Sequence, residues 1–473
     1  MAFKKKLHIF RPNHEPVFVQ SHRTKHSQRA ERCDPASIER GVRQLLANKV
    51  SGTMVGIWLL AAEHMRLGTW ELLCAWTGHG SERIEPRLAL QAVHESALCV
   101  SRVRRRASLS QKGFELANGL PFVATDQAIH NLFDTQSVES TERLQIVLGH
   151  LRRASGHFKA RLLAVDPHHL RSYTKRQMRR HRHNEKDRAV KTLQTFFCLD
   201  VDTHQPLAFT MGSAAKTVSQ ATPQLLAMAE TILNPRPGQT LVVADTEHMT
   251  SEIFEYINAD SPFDLICPMR RGIAQQAEMA KLPSAIFTPR WAGIATARLP
   301  YHFSTSKTQP LYRLIQRCGE TPQNYYFTPF LSTCRRDELD QICNDYPDRW
   351  HLEEFFNAYQ AMGWNRAGTL NLHIRYAQLT MALIAQAVVH QLRQRLGQPY
   401  QQWEAAHLGK SLFQGLDGDI RVVNDTIVVT FYNAPNTQRL REHYENLPAK
   451  LIKDNINPHM PWLYNFKLDF RFK

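Results

Sequence analysis

Two short apolar runs that each end in an aspartate constrain the fold of this chain most. Leu-Leu-Ala-Val leads into Asp166, and Leu-Val-Val-Ala leads into Asp245. Uninterrupted apolar runs of this length predict strands that are covered on both faces, as in a sheet with helices on either side. Because ligands bind at the carboxyl ends of strands in open α/β sheets, both aspartates are candidates for one site.

The periodicity around these two runs predicts the element order β-β-β-α-β-α-β over residues 161–268. Three leading strands followed by alternation indicate an α/β fold with a mixed sheet flanked by helices. Residues 270–330 contain strand-like pieces and predict a β-rich insertion. From residue 35 to about residue 151 the apolar spacing is helical, which predicts an all-helical N-terminal domain.

These changes of pattern set the predicted domain boundaries. The long apolar helix over about Leu372–Leu396 is assigned to the α/β domain, where we expect it to cover the sheet. The predicted domains are a basic N-terminal arm (1–34), a helical domain (35–154), an α/β domain with the β-rich insertion (155–400) and a C-terminal region with a hairpin (401–473).

The positive charge of the chain is concentrated in three short stretches. The sequence has 59 Lys and Arg residues against 43 Asp and Glu residues, a net charge of +16. Residues 1–30, 101–112 and 171–188 hold nearly all of this excess. Clustered bases release condensed counterions when they contact phosphates, so double-stranded DNA is the expected partner and a membrane surface is second. The bases predicted to bind DNA are Arg104, Arg105, Arg106, Lys175, Arg176, Arg179, Arg180 and Arg182.

Membrane insertion and export are not expected. The most apolar helical stretch, 377–389, is shorter than the roughly 20 residues that a bilayer span needs. The basic N-terminus has no apolar run of the kind that a signal peptide requires. The eight cysteines are scattered, which favours neither a zinc site nor a disulfide framework. We therefore expect a cytoplasmic protein with reduced cysteines and no membrane partner.

A third carboxylate is expected because two aspartates rarely suffice to bind the divalent cations that cleave phosphodiesters. The candidate segment runs from Tyr346 to Gln360. If it is one helix, Arg349, Glu353 and Gln360 share a face, whereas Glu354 is turned away by about 100 degrees. The spacing therefore selects Glu353. Arg349 could orient that carboxylate or bind a phosphate, and Tyr346 could add a phosphate hydrogen bond.

These residues resemble the signature of a known enzyme family. The pattern Tyr-x2-Arg-x3-Glu-x6-Lys, after two strand-end aspartates, is typical of bacterial insertion-sequence DDE transposases of the group named after insertion sequence four. In this chain the four positions are Tyr346, Arg349, Glu353 and Gln360. Gln360 departs from the family's Lys, and Asp245-Thr-Glu247 departs from the Asp-Arg-Glu that the family often shows.

The resemblance implies an RNase H-like catalytic domain in which Asp166, Asp245 and Glu353 bind two Mg²⁺ ions, with Mn²⁺ as a possible substitute. It implies a DNA transposase that cleaves transposon ends and transfers them to target DNA. The helical N-terminal domain would bind the terminal inverted repeats. It further implies a homodimer in the synaptic complex and a bacterial, nucleoid-associated location.

Three other functions are compatible with the same residues. An RNase H-like DNA nuclease would use the same three carboxylates without end-specific binding. A domesticated DNA-binding protein would have lost metal-dependent cleavage. A structural or membrane-surface protein would bind lipid in competition with DNA.

Overall fold

The computed structural model describes residues 8–9, 17–18, 34–52, 54–100, 109–172, 180–181, 188–213, 215–304, 311–363 and 371–473. The chain forms two compact units. The first unit contains residues 1–151 and 358–473, and the second unit contains residues 152–357. The second unit therefore ends well before the predicted domain boundary at residue 400.

The strands are numbered in chain order. They are β1 (His8–Ile9), β2 (Val17–Phe18), β3 (Val50–Gly52), β4 (Leu162–Arg171), β5 (Arg180–His181), β6 (Val190–Asp200), β7 (Gln205–Ser213), β8 (Leu241–Ala244), β9 (Asp264–Pro268), β10 (Thr288–Trp291), β11 (Ile294–Tyr301), β12 (Leu311–Cys318), β13 (Tyr326–Ser332), β14 (Gly418–Val423), β15 (Thr426–Phe431), β16 (His459–Met460) and β17 (Phe466–Phe472).

The α-helices are numbered in the same way. They are α1 (Pro35–Ala47), α2 (Leu59–Leu67), α3 (Thr69–Thr77), α4 (Glu85–Ala97), α5 (Lys112–Ala117), α6 (Asp126–Asp134), α7 (Val138–Ala154), α8 (Val218–Leu233), α9 (Ser251–Asp260), α10 (Ile273–Ala280), α11 (His351–Tyr359), α12 (Leu372–Leu396), α13 (Ala405–Leu408), α14 (Thr437–Tyr444) and α15 (Leu447–Lys453).

The second unit is built on one mixed sheet. Its strand order is β10-β11-β12-β13-β9-β8-β4-β6-β5, and β7 also pairs with β6. Neighbours β4, β8 and β9 run parallel, whereas the β4–β6 and β6–β7 pairs are antiparallel. The predicted mixed α/β fold and the predicted order of elements over residues 161–268 are confirmed, with the two-residue strand β5 as an addition.

The strands in the middle of this sheet are apolar and buried. All four residues of β8 are buried, as are the first four of β4. Helix α8 packs on β6 and β7. It begins with a capping box between Thr217 and Gln220 and ends at Asn234, whose left-handed backbone (φ 44°) stops the helix.

The predicted β-rich insertion is confirmed, and it continues the main sheet. Strand β13 pairs antiparallel with β9, and β12, β11 and β10 follow outward. Its buried side chains form a small core of their own: Met279, Phe287, Ala295, Ala297, Ile315 and Phe327.

The first unit is composed of an N-terminal and a C-terminal segment of the chain. The described part of the predicted N-terminal domain is helical except for β3, which pairs with β14 and so extends the sheet β16-β17-β15-β14-β3. The N-terminal helices are therefore not a separate all-helical domain, because their strand completes a sheet formed by the C-terminal region. Helix α12 packs against α2, α4 and α6 in this unit.

Helix α12 is almost entirely buried, as its apolar sequence predicts, with Asn371 as its N-cap. It differs from the prediction in its surroundings, because its neighbours α2, α4 and α6 belong to the first unit rather than to the predicted catalytic domain. Among the described residues, no helix combines the length and apolar character that crossing a membrane requires. The seven described cysteines are free thiols.

Candidate active site

The aspartates of the two apolar runs follow matched positions on neighbouring strands. Strands β4 and β8 pair in parallel, with Val165 opposite Ala244 as the last pair. Asp166 follows Val165 within β4, and Asp245 is the first residue after β8. Paired residues of adjacent strands face the same side of a sheet, so the register places both carboxylates on one face.

The prediction that Asp166 ends its strand is wrong, because β4 continues to Arg171. The reason is β6, which pairs with β4 from Leu163 through to Arg171. Strand β8, in contrast, stops at Ala244. At Asp166, β4 therefore no longer pairs with β8 but still pairs with β6. Asp166 lies at the carboxyl end of the parallel part of the sheet.

The carboxyl group of Asp166 is in an environment that disfavours negative charge. Its side chain is only 18% exposed. Burial, followed by repulsion from Asp245, raises its pKa from 3.8 to about 8, and Glu353 and Glu247 add to this repulsion. Arg349 offsets part of the effect. Asp166 is therefore a buried carboxyl group that lies close to three other carboxyl groups and to one guanidinium.

Asp245 is held in its ionised form by a neighbour that the sequence did not single out. Burial alone would raise its pKa, but a hydrogen bond and electrostatic attraction from His248 lower it overall. His248 Nδ1 lies 2.6 Å from Asp245 Oδ1, which also accepts a hydrogen bond from the Glu247 backbone at 3.0 Å. The Asp-x-x-His spacing within one turn was the available signal for His248, and it is weak alone.

Arg349 links the third carboxylate to the first. Its Nη2 donates to Glu353 Oε1 at 3.2 Å, and its Nη1 lies 3.7 Å from Asp166 Oδ2. Glu354 instead pairs with His351 at 2.8 Å. Of the two adjacent glutamates, the structure therefore brings Glu353 toward the aspartates, which is the one that the spacing selects.

The segment around Glu353 is not the single helix that the spacing argument assumed. A π-helix spans Asp340–Asp345, a 3-10 helix spans Tyr346–Trp350 and α11 begins only at His351. Pro347 sits in the first turn of the 3-10 helix, where its missing N–H costs nothing. Arg349 and Glu353 still meet because they are four residues apart across this junction.

The remaining predicted phosphate ligands have different positions. The Tyr346 ring packs edge-on against Phe330 with ring centroids 4.9 Å apart, and burial raises its pKa although Arg349 opposes this shift. Gln360 begins a 3-10 turn after α11, so it does not continue the helix face of Glu353.

Most of the bases predicted to bind DNA lie outside the described residues. Arg180 is the exception, an exposed residue of β5 that pairs with Lys191 of β6. The bases outside the described residues are Arg104, Arg105, Arg106, Lys175, Arg176, Arg179 and Arg182.

Comparisons with known proteins find structural likeness but no match in sequence. No family model matches the sequence, and no curated protein matches it. Among solved structures, the chain is similar to the piggyBac transposase in a cryo-EM structure of its synaptic complex with hairpin DNA. The TM-score is 0.42 and the sequence identity is 10%, over 78% of this chain and 82% of that chain. This likeness assigns no role to any residue.

Proposed function

We propose that the chain is a metal-dependent DNA transposase whose catalytic residues are Asp166, Asp245 and Glu353. One observation carries the proposal: two carboxylates stand at matched positions of adjacent parallel strands, and Arg349 joins the third to the first. A cluster of carboxylates of this kind is typical of a site for a hard divalent cation. Strand order β7-β6-β4-β8-β9, with two parallel strands beside three leading antiparallel ones, supports an RNase H-like catalytic domain.

The donor atoms fit a hard divalent cation. Asp166, Asp245 and Glu353 offer only carboxylate oxygens, which Mg²⁺ and Mn²⁺ prefer. Burial and repulsion from Asp245 raise the pKa of Asp166, and a positive charge at this position would oppose both effects. When bound, a pair of such ions would supply activation of the attacking oxygen and stabilisation of the leaving one.

The other side chains of the site prepare these carboxylates. His248 keeps Asp245 ionised and fixes its orientation through the 2.6 Å contact. Arg349 holds Glu353 toward Asp166, and its planar guanidinium also suits a phosphate oxygen of DNA. Tyr346 interacts with Arg349 and would add a phosphate hydrogen bond.

The DNA partner is proposed from charge. The basic stretches at residues 1–30, 101–112 and 171–188 would hold the DNA backbone, and the last of them begins five residues after Asp166. Transposon ends and target DNA are the proposed substrates, and a homodimer would synapse the two ends. The proposed location is the bacterial cytoplasm at the nucleoid, and Gln360 is proposed to contact DNA without bringing charge.

The test uses a donor plasmid that carries the DNA flanking the coding sequence, incubated with the full chain and Mg²⁺ or Mn²⁺. We expect cleavage at defined ends and joining to a target plasmid. Asp166→Asn, Asp245→Asn and Glu353→Gln should each reduce both steps by roughly a hundredfold or more. Glu320→Gln, which alters an exposed glutamate of the same unit, is the matched control.

Two outcomes would overturn the proposal. Cleavage that is the same in Asp166→Asn and in the wild type would remove the carboxylates from the chemistry. Metal-dependent cleavage with no preference for the flanking DNA and no joined product would instead identify a nuclease.

A further inference from the structure

A second group of potential metal ligands lies on the side of α11 that is turned away from Glu353. His351 and Glu354 come from the first turn of α11, and His204 comes from the turn between β6 and β7. One ligand atom from each of these residues lies within 4.8 Å of the other two. His351 Nδ1 is 2.8 Å from Glu354 Oε2, and the two imidazole rings have centroids 4.1 Å apart at 31°.

The chemistry of this group differs from that of the carboxylate site. Two imidazoles and one carboxylate are typical ligands of Zn²⁺ and of related transition metals, whereas Mg²⁺ and Ca²⁺ prefer oxygen donors. Bonds of about 2.0–2.2 Å to a tetrahedral ion place ligand atoms about 3.5 Å apart. The ligand atoms of the three residues lie within 4.8 Å of one another, which is near this spacing. Three protein ligands would leave a fourth position open to solvent.

Hydrogen bonds to Asp200 hold the turn that carries His204. Asp200 Oδ1 accepts hydrogen bonds from the Thr203 backbone at 3.0 Å and from the Thr203 hydroxyl at 2.8 Å. Its Oδ2 accepts from the backbones of Lys159 at 2.9 Å and Ala160 at 2.7 Å. His204 itself has a left-handed backbone with φ 55°. A ligand on so constrained a turn loses little freedom when it binds an ion.

Charge around the group favours a cation. Asp348 Oδ1 lies 4.0 Å from His351 Nε2, so the ring stands between two carboxylates. His204 and Glu354 are exposed and His351 is half-buried, which leaves the group open to ions from solution.

We propose that His204, His351 and Glu354 form a binding site for one transition-metal ion of the Zn²⁺ class, independent of the carboxylate site. The bound ion would join the β6–β7 turn to the first turn of α11 and so fix the start of the helix that carries Glu353. This goes beyond the proposed function and does not require it.

The test titrates the chelator-treated full chain with Zn²⁺ by calorimetry and with Co²⁺ by visible absorption. The background is the double variant Asp166→Asn and Asp245→Asn, which disables the carboxylate site. We expect one Zn²⁺ to bind, and Co²⁺ to give the intense absorption of a four-coordinate ion with nitrogen ligands. His204→Asn keeps a residue that tolerates the left-handed backbone, and it should weaken Zn²⁺ affinity about tenfold or more.

His351→Gln and Glu354→Gln should weaken Zn²⁺ affinity to a similar extent. The control is His302→Ala, which removes an exposed histidine of the same unit and should leave the affinity unchanged. Absence of Zn²⁺ binding, or equal affinity in the wild type and in both histidine variants, would overturn the proposal. Thermal unfolding of each variant without metal shows whether it is folded, and so separates lost ligands from lost structure.

Discussion

Asp166 and Asp245 each stand one residue beyond the last paired position, Val165 opposite Ala244, of two neighbouring parallel strands. The sheet register thereby brings together two carboxylates that are 79 residues apart in sequence. His248 keeps Asp245 ionised, and the pKa values of the two aspartates are displaced in opposite directions. This asymmetry leads to the following predictions.

The stability of the metal-free protein should depend on pH through Asp166. Its pKa is 3.8 in a free chain and about 8 in the fold, so the folded state binds more protons between these values. Stability is therefore lost as pH rises through this window, and the loss is complete above about 8. Asp166→Asn should unfold at a higher temperature than the wild type at pH values above this window, by roughly 5 °C or more, with the difference shrinking toward the acid end. Thermal unfolding of both proteins in the presence of chelator measures this difference in unfolding temperature. A difference that is the same at every pH would contradict the prediction.

Mg²⁺ or Mn²⁺ should stabilise the wild type. An ion that binds only the folded state at a hundred times its dissociation constant adds about 2.7 kcal/mol to the free energy of unfolding. The gain should grow with pH, since binding displaces the proton of Asp166. Asp245→Asn and Glu353→Gln should lose most of the gain, whereas Glu320→Gln should keep it. If all four proteins are stabilised equally, the ion does not bind at Asp245 and Glu353.

Removal of His248 should weaken metal binding although this side chain offers no ligand to the ion. Burial raises the pKa of Asp245 and the 2.6 Å contact with His248 lowers it, so this pKa rises when the contact is removed. We expect His248→Ala to reduce Mn²⁺ affinity about tenfold, as loss of a residue that orients a metal ligand typically does. The signal of free Mn²⁺ in electron paramagnetic resonance measures the affinity. His302→Ala is the control, and unchanged affinity in His248→Ala would argue against this role.

Arg349→Ala should shift the pH dependence of DNA cleavage. Arg349 opposes the rise of the Asp166 pKa, so its removal raises that pKa further. The acid limb of the cleavage profile should then move to higher pH, with a rate loss of about tenfold near neutrality. Arg349→Lys restores the positive charge but not the planar guanidinium that contacts both Asp166 and Glu353. It should therefore recover only part of the cleavage rate. If the rate falls but the acid limb of the pH–rate profile stays in place, Arg349 does not act through the pKa of Asp166.

The strands around the site could be predicted because buried parallel strands have uninterrupted apolar sequences. The four buried residues of β8 and the first four of β4 show this directly. The register that aligns Asp166 with Asp245 could not be predicted, because it depends on pairing between distant segments. The extension of β4 to Arg171 depends equally on β6, a partner that the sequence of β4 does not reveal.

Two other differences have the same origin. The apolar pattern of α12 predicts its bounds and its burial, but a pattern cannot name the surface that buries it. The spacing of Arg349 and Glu353 predicts their contact, whereas the break before His351 depends on local backbone geometry around Pro347. His248 was missed because a single histidine near a strand end has many ordinary explanations.

The pairing of β13 with β9 gives the insertion a protective role. Strand β9 contains the run Leu-Ile-Cys, and without its neighbour the backbone N–H and C=O groups of this buried strand would form an open sheet edge. Unprotected edges of this kind add strands from other molecules and promote aggregation. Strand β13 occupies that position, and the short, largely exposed β10 forms the outer edge. A chain shortened by removal of residues 270–330 would therefore be prone to self-association even if its carboxylates kept their places.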